Sequence, residues 1–209
     1  MLIQDKDHIL FYGDSITDCG RREPVNNPMG LGSGYVNLIA GHLLSNYPGL
    51  GLRISNRGIS GNRVYDLEER LEQDVIQQGP TLVSIMIGIN DTWRRYDQKV
   101  DSPVPEFQAS YRRIIEAILG KLGTRLVICE PFLLPVPEDR RLWREDLDPR
   151  ITAVRELAWE FRVPLLPLDG LFAAAAAKVP AAYWLPDGVH PSLAGHNLIA
   201  KGWLDLVTG

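Results

Sequence analysis

The chain has little that could hold it together covalently. Its 209 residues include two cysteines, Cys19 and Cys129. Neither a disulfide framework nor a Cys-x-x-Cys clip can be built from them, which fits free thiols in a reducing compartment. Basic charge is in deficit, with 22 Lys and Arg against 26 Asp and Glu for a net charge of -4. A partner held by phosphate contacts needs a basic face, so nucleic acid is not expected, and Arg94-Arg95 and Arg140-Arg141 read as solvated surface. No apolar run approaches the roughly 18 residues of a membrane span. The opening "MLIQDKDHIL" carries two aspartates and lacks a signal peptide's basic start and cleavage site, so neither membrane association nor export is expected, and a cytoplasmic location is.

What is present is an ordinary core. Hydrophobic residues make up 45% of the chain and charged residues 23%, enough for one domain spanning residues 1–209 with no staple. Short runs rich in Val, Ile and Leu predict strands at His8–Tyr12, Leu52–Asn56, Thr81–Ile87, Arg125–Cys129 and Val163–Leu168. Helical spacing falls between and after them, at Tyr35–Asn46, Tyr65–Gln77, Pro105–Leu122, Pro149–Phe161 and Ser192–Leu206. The alanine run 173–177 reads as one short helix. Strands apolar on both faces and alternating with helices predict a three-layer α/β/α fold around a doubly wound, five-stranded parallel sheet.

Ligands in such folds sit at the carboxyl ends of the strands, so the residues just after each strand are where chemistry is to be sought. There stand Gly13-Asp14-Ser15, "NRGISGN" at 56–62, "GINDTW" at 88–93 and a Pro- and charge-rich loop at 130–148 that reads as a rim or lid. Ser15 suits either a helix cap or a nucleophile whose neighbouring N–H groups receive an oxyanion. A nucleophilic serine needs a base, and there are only four histidines. His8 opens the first strand, away from the site; His42 and His196 lie inside helices, where structural roles suffice. His190 lies in "DGVHPS", three residues after Asp187, so that the carboxylate can turn back on the imidazole and the pair can serve Ser15 as a triad does. A merely tied-down turn is the plainer alternative. Gly61 and Asn90 offer a backbone and a side-chain donor to an oxyanion, and equally suit a left-handed turn and an Asx turn.

Four blocks, "GDSITD", "GISGN", "GIND" and "DGVH", stand in this order between about Leu10 and Ala200. With them the chain resembles the GDSL esterases, also called SGNH hydrolases, a family of flavodoxin-like fold. The resemblance implies Ser15 as nucleophile, His190 as base, Asp187 as its orienter, an oxyanion hole of the Ser15 N–H, Gly61 and Asn90, and no metal or organic cofactor. Through "GDSITDCGR", "LGSGYVN", "NRGISGN", "SIMIGINDTWR" and "VHPSLAGH" the chain looks most like the intracellular acetylxylan esterases of that family. That implies removal of acetyl groups from xylo-oligosaccharides, with a broader short-chain or lysophospholipase-like esterase as the alternative. Trp93 and Trp184 are candidates for a platform under a sugar ring, and core packing is the plain reading of each. Asp14 reads as bracing its turn, with substrate contact as a second possibility. The implied partner is a small ester, and the family is compatible with a homo-oligomer.

Three rivals fit less well. An α/β-hydrolase elbow needs Gly-x-Ser-x-Gly, and Thr17 occupies the second glycine position. A metal-dependent phosphoesterase using Asp14, Asn90, Asp187 and His190 as ligands lacks a histidine pair or acidic cluster. A non-catalytic flavodoxin-like binding module has no need of an oriented histidine, and "GLGSG" breaks the dinucleotide fingerprint.

Overall fold

The computed structural model describes residues 1–22 and 29–209. Its centre is a parallel sheet of five strands, β1 (His8–Gly13), β2 (Arg53–Gly58), β3 (Leu82–Met86), β4 (Arg125–Cys129) and β5 (Leu165–Leu166), in the order β2-β1-β3-β4-β5. Alternation along each strand assigns side chains to two cores. Ile9, Phe11, Met86, Val127 and Cys129 face one side, covered by α2 (Tyr35–Asn46) and α9 (Leu193–Thr208). Leu10, Tyr12, Val83, Ile85, Leu126 and Ile128 face the other, under α3 (Val64–Asp74), α5 (Val104–Leu122) and α6 (Arg144–Glu160). Three layers result, as the two-sided apolar strands predict.

The strand order also locates the site. From β1 the chain moves outward to β2 and then returns to the other side of β1 as β3, so the switch point lies between β1 and β3, where a crevice opens beyond their carboxyl ends. Ser15 follows β1 and Asn90 follows β3, one on each side of it.

Some predicted elements differ from those observed. β5 has two residues in place of Val163–Leu168, because it pairs only with β4 at the sheet edge. "GINDTW" is not a loop but the start of α4 (Ile89–Asp97), a helix whose apolar residues Ile89, Trp93 and Tyr96 share one face packed on the core and whose first turn, Ile89 to Thr92, is buried. α6 begins five residues before Pro149. The proline forfeits one backbone bond, but Leu147, Arg150, Ile151 and Val154 are buried and Arg150 pairs with Asp146 one turn away. The 130–148 stretch is no free lid: Phe132, Leu133, Leu134 and Trp143 belong to the core. Among the described residues no helix is long and apolar enough to cross a membrane.

Candidate active site

β1 ends at a glycine that cannot be replaced. A Cβ on Gly13 would stand 2.4 Å from Thr17 Oγ1 and 2.5 Å from the Met86 carbonyl oxygen. Only glycine lets α1 (Ser15–Asp18) start directly beside the end of β3. The cap of this short helix is Asp14, not Ser15: Asp14 Oδ1 accepts the Ile16 N–H at 3.0 Å. Ser15 is thereby freed from capping, and its own N–H, in the first turn, has no intrahelical acceptor. Asp14 is 1% exposed, which corrects its place among substrate-contacting residues: a carboxylate so covered braces the turn and touches no substrate. Burial pushes it up to about 7, against the Ile16 hydrogen bond and the attraction of His190.

Across the crevice His190 Nε2 lies 3.0 Å from Ser15 Oγ, and His190 Nδ1 lies 2.7 Å from Asp187 Oδ2. The other Asp187 oxygen accepts the backbone N–H groups of His190 (2.7 Å) and Val189 (2.9 Å). An anionic acceptor at Nδ1 assigns the proton to that nitrogen and leaves Nε2 to accept from the serine hydroxyl. Burial would raise the Asp187 carboxyl, but the hydrogen bonds from the His190 ring and the two N–H groups hold it far below the usual carboxylate range. The Asp187 hydrogen bond in turn raises His190 above its ordinary value, against burial and the charge of Arg140. The loop is seated by Gly188, at φ +83°, whose missing Cβ makes room for the carbonyls of Leu134 and Val136. Leu134 N–H donates to its carbonyl at 2.9 Å. The segment read as a lid is thus the seat of the histidine loop.

The two further donor candidates, Gly61 and Asn90, follow β2 and β3. Gly61, at φ +84°, is presented by a loop clamped from α1: Asp18 Oδ2 accepts both the hydroxyl (2.7 Å) and the N–H (3.2 Å) of Ser60. Asn90 is buried at 5% exposure and donates one Nδ2 hydrogen to the Asn62 carbonyl at 3.0 Å, which orients the second. Its neighbour Asp91 accepts the Val64 N–H at the start of α3. Sequence reading missed the residue that joins these parts. Arg70, on α3, donates to the carbonyls of Gly13 (3.0 Å) and Arg57 (2.9 Å), to Asn62 Oδ1 (2.8 Å) and to Asp74 (2.6 Å), with its guanidinium 4.4 Å from the Tyr12 ring centre. One side chain ties the ends of β1 and β2 to the Gly61 loop. Nothing local in the sequence marks it, because its partners lie up to 57 residues away.

The remaining candidates separate clearly. Trp93 sets its ring 5.7 Å from that of His190, whereas Trp184 lies edge-on to Tyr183 at 5.2 Å with its indole nitrogen covered. His196 is structural: its Nδ1 accepts the Tyr35 N–H, and burial lowers it to about 4. His8, paired with Arg53 and Ser55 at the amino end of β1, is also lowered to about 4 by burial. The metal reading fails on the donors' engagements, since Asp14 caps α1, Asp187 holds His190 and His190 faces Ser15. Arg140 departs from the expected solvated surface, with its guanidinium over both Trp93 and Trp143.

This arrangement supplies a hydroxyl beside a neutral imidazole, an anion behind that imidazole and N–H donors nearby, the requirements of acyl transfer. The model of the GDSL-like lipase/acylhydrolase family matches residues 11–198. The chain is 38% identical over 210 residues to the acetylxylan esterase of Geobacillus stearothermophilus, across 98% of this chain and 95% of that protein. The structure of that esterase superimposes with a TM-score of 0.92 at 36% identity, covering 100% of this chain and 97% of the other. A protein described as a GDSL-like lipase from Parabacteroides merdae superimposes with a TM-score of 0.94 at 39% identity, covering 99% and 98%. Motif order, crevice and whole-chain likeness agree: the chain belongs to the GDSL-like lipase/acylhydrolase family and is a carboxylic ester hydrolase.

Proposed function

We propose that the protein removes acetyl groups from small acetylated carbohydrates, xylo-oligosaccharides in the first place, through an acyl-enzyme on Ser15. The observation that carries the mechanism is the relay from Ser15 Oγ through His190 (3.0 Å) to Asp187 (2.7 Å). His190 Nε2 takes the hydroxyl proton as Oγ attacks the ester carbonyl, and Asp187 stabilises the imidazolium that forms. The negative oxygen is received by the N–H groups of Ser15 and Gly61 and the second Nδ2 hydrogen of Asn90. The imidazolium then protonates the departing sugar oxygen, leaving Ser15 acetylated. Water, giving a proton to the same nitrogen, attacks the acetyl group; acetate leaves and the proton returns to Ser15. This chemistry requires no metal or organic cofactor.

The substrate class is supported by the likeness to an acetylxylan esterase across nearly the whole chain and by the Trp93 indole beside the reacting imidazole, an aromatic face on which a sugar ring can rest. The test compares kcat/KM for acetylated xylo-oligosaccharides with that for octanoyl and lysophospholipid esters. Preference for the acetylated sugars is expected. A preference for the long acyl chains of 10-fold or more overturns the substrate reading and leaves the mechanism standing.

A further inference from the structure

Arg140 is a cation with no anion assigned to it. It lies in the 3-10 turn Glu138–Trp143, with its guanidinium carbon 3.8 Å from the ring centre of Trp143 and 4.4 Å from that of Trp93. Most of the neighbouring acids are engaged by other arginines: Asp97 by Arg94, Asp146 by Arg95 and Arg150, Glu138 by Arg141, and Asp148 and Asp169 by Arg144, while the exposed Asp139 pairs with none of the described arginines. Among the described residues Arg140 makes no ion pair, and its Nη1, covered by the indoles, has no hydrogen-bond partner. Arg140 lines a hollow of about 370 Å³ together with Trp93, Tyr96, Asp97, Pro137, Asp139 and Trp143.

The position bears on the reaction. The Trp93 ring that carries Arg140 also contacts His190 at 5.7 Å, and the Arg140 charge opposes protonation of His190. A positive charge so placed works against the imidazolium that ester hydrolysis must form. A long side chain held over two rings has already surrendered rotamer freedom, which lowers the cost of binding a planar anion.

We propose that Arg140 is a specificity residue that receives a carboxylate carried by the alcohol part of the substrate: a uronate substituent on an acetylated oligosaccharide whose neighbouring sugar rests on Trp93. The inference rests on the carbohydrate reading above and refines it from neutral to acidic oligosaccharides. A bound carboxylate supplies the negative charge that Arg140 lacks and offsets its effect on His190, so its benefit extends to the chemical step.

The experiment measures kcat/KM for two acetylated xylo-oligosaccharides of equal length, one bearing a uronate side group and one neutral. Wild type is compared with Arg140→Met and Arg140→Lys, with phenyl acetate turnover as a check on the machinery. A charge-assisted pair is worth about 1.5–3 kcal/mol, so wild type should favour the acidic substrate by about 10- to 100-fold. Arg140→Met should bring the ratio close to one, and Arg140→Lys, which keeps the charge without the fork, should fall between. In wild type alone, raising the salt concentration should shrink the ratio, so the proposal remains testable if a variant folds poorly. Equal rates on the two substrates in wild type, or a preference that survives Arg140→Met, overturns the role of Arg140 and leaves the carbohydrate reading intact. Hydrolysis of phenyl acetate with neither sugar ester turned over overturns both.

Discussion

Asn90→Ala isolates one part of the proposed oxyanion hole, and the geometry around Asn90 sets how its effects should divide. In the native site one Nδ2 hydrogen is bound to the Asn62 carbonyl at 3.0 Å, which leaves the other to the crevice. Truncation removes a donor that strengthens only when charge develops on the ester oxygen, at a cost of about 2.7–4 kcal/mol in the barrier, or about 10²- to 10³-fold in kcat. Ground-state binding needs that hydrogen little, so KM should stay within about three-fold. The Asn62 carbonyl loses its partner in the same variant, a loss of about 1–2 kcal/mol in stability that a urea melt reads separately. The assay is steady-state hydrolysis of a neutral acetate ester well below the melting temperature, backed by affinity for a tetrahedral boronate inhibitor. A kcat within 10-fold of wild type, with boronate affinity unchanged, would refute the assignment of Asn90 to the oxyanion.

Two other expectations follow from the same geometry. Hydrolysis needs neutral His190, and the Asp187 hydrogen bond raises that group. Activity should therefore fall as pH drops through a midpoint above about 6.5, the ordinary histidine value, and Asp187→Asn should move the midpoint to lower pH along with a large loss of kcat; a limb that stays put in a pH–rate profile counts against the pair. Arg70→Met should lower unfolding free energy by about 2–4 kcal/mol, because a largely buried ion pair and three further hydrogen bonds lose their donor. Its kcat should fall more than its KM rises as the Gly61 loop loosens, and equal changes in both would make Arg70 a strut of the fold alone.

Much of this was legible in the sequence for physical reasons. β1, β3 and β4 are buried on both faces, so they appear as continuous apolar runs between breakers. The chemistry-bearing residues follow strands directly, where punctuation by Gly13, Gly61, Gly88 and Gly188 marks them. α4 was hard to read because it is nine residues long, opens directly at Gly88, φ +130°, and buries the polar residues Asn90, Asp91 and Thr92 in its first turn. Arg70, Asp18 and Arg140 were illegible as site residues because what distinguishes them is a partner brought near only by the fold. Between Asp14 and Ser15 the cap could be assigned only once the backbone showed which carboxylate or hydroxyl reaches the Ile16 N–H.

The central claim is that Ser15 attacks the ester with His190 as its base, and the most direct measurement is the kcat of Ser15→Ala on a verified acetate ester. The substitution removes one oxygen from a half-buried position and should leave the melting curve nearly unchanged. The account predicts a fall of at least about 10³-fold, with only oxyanion and binding effects remaining. Turnover near that of the wild-type protein would contradict it.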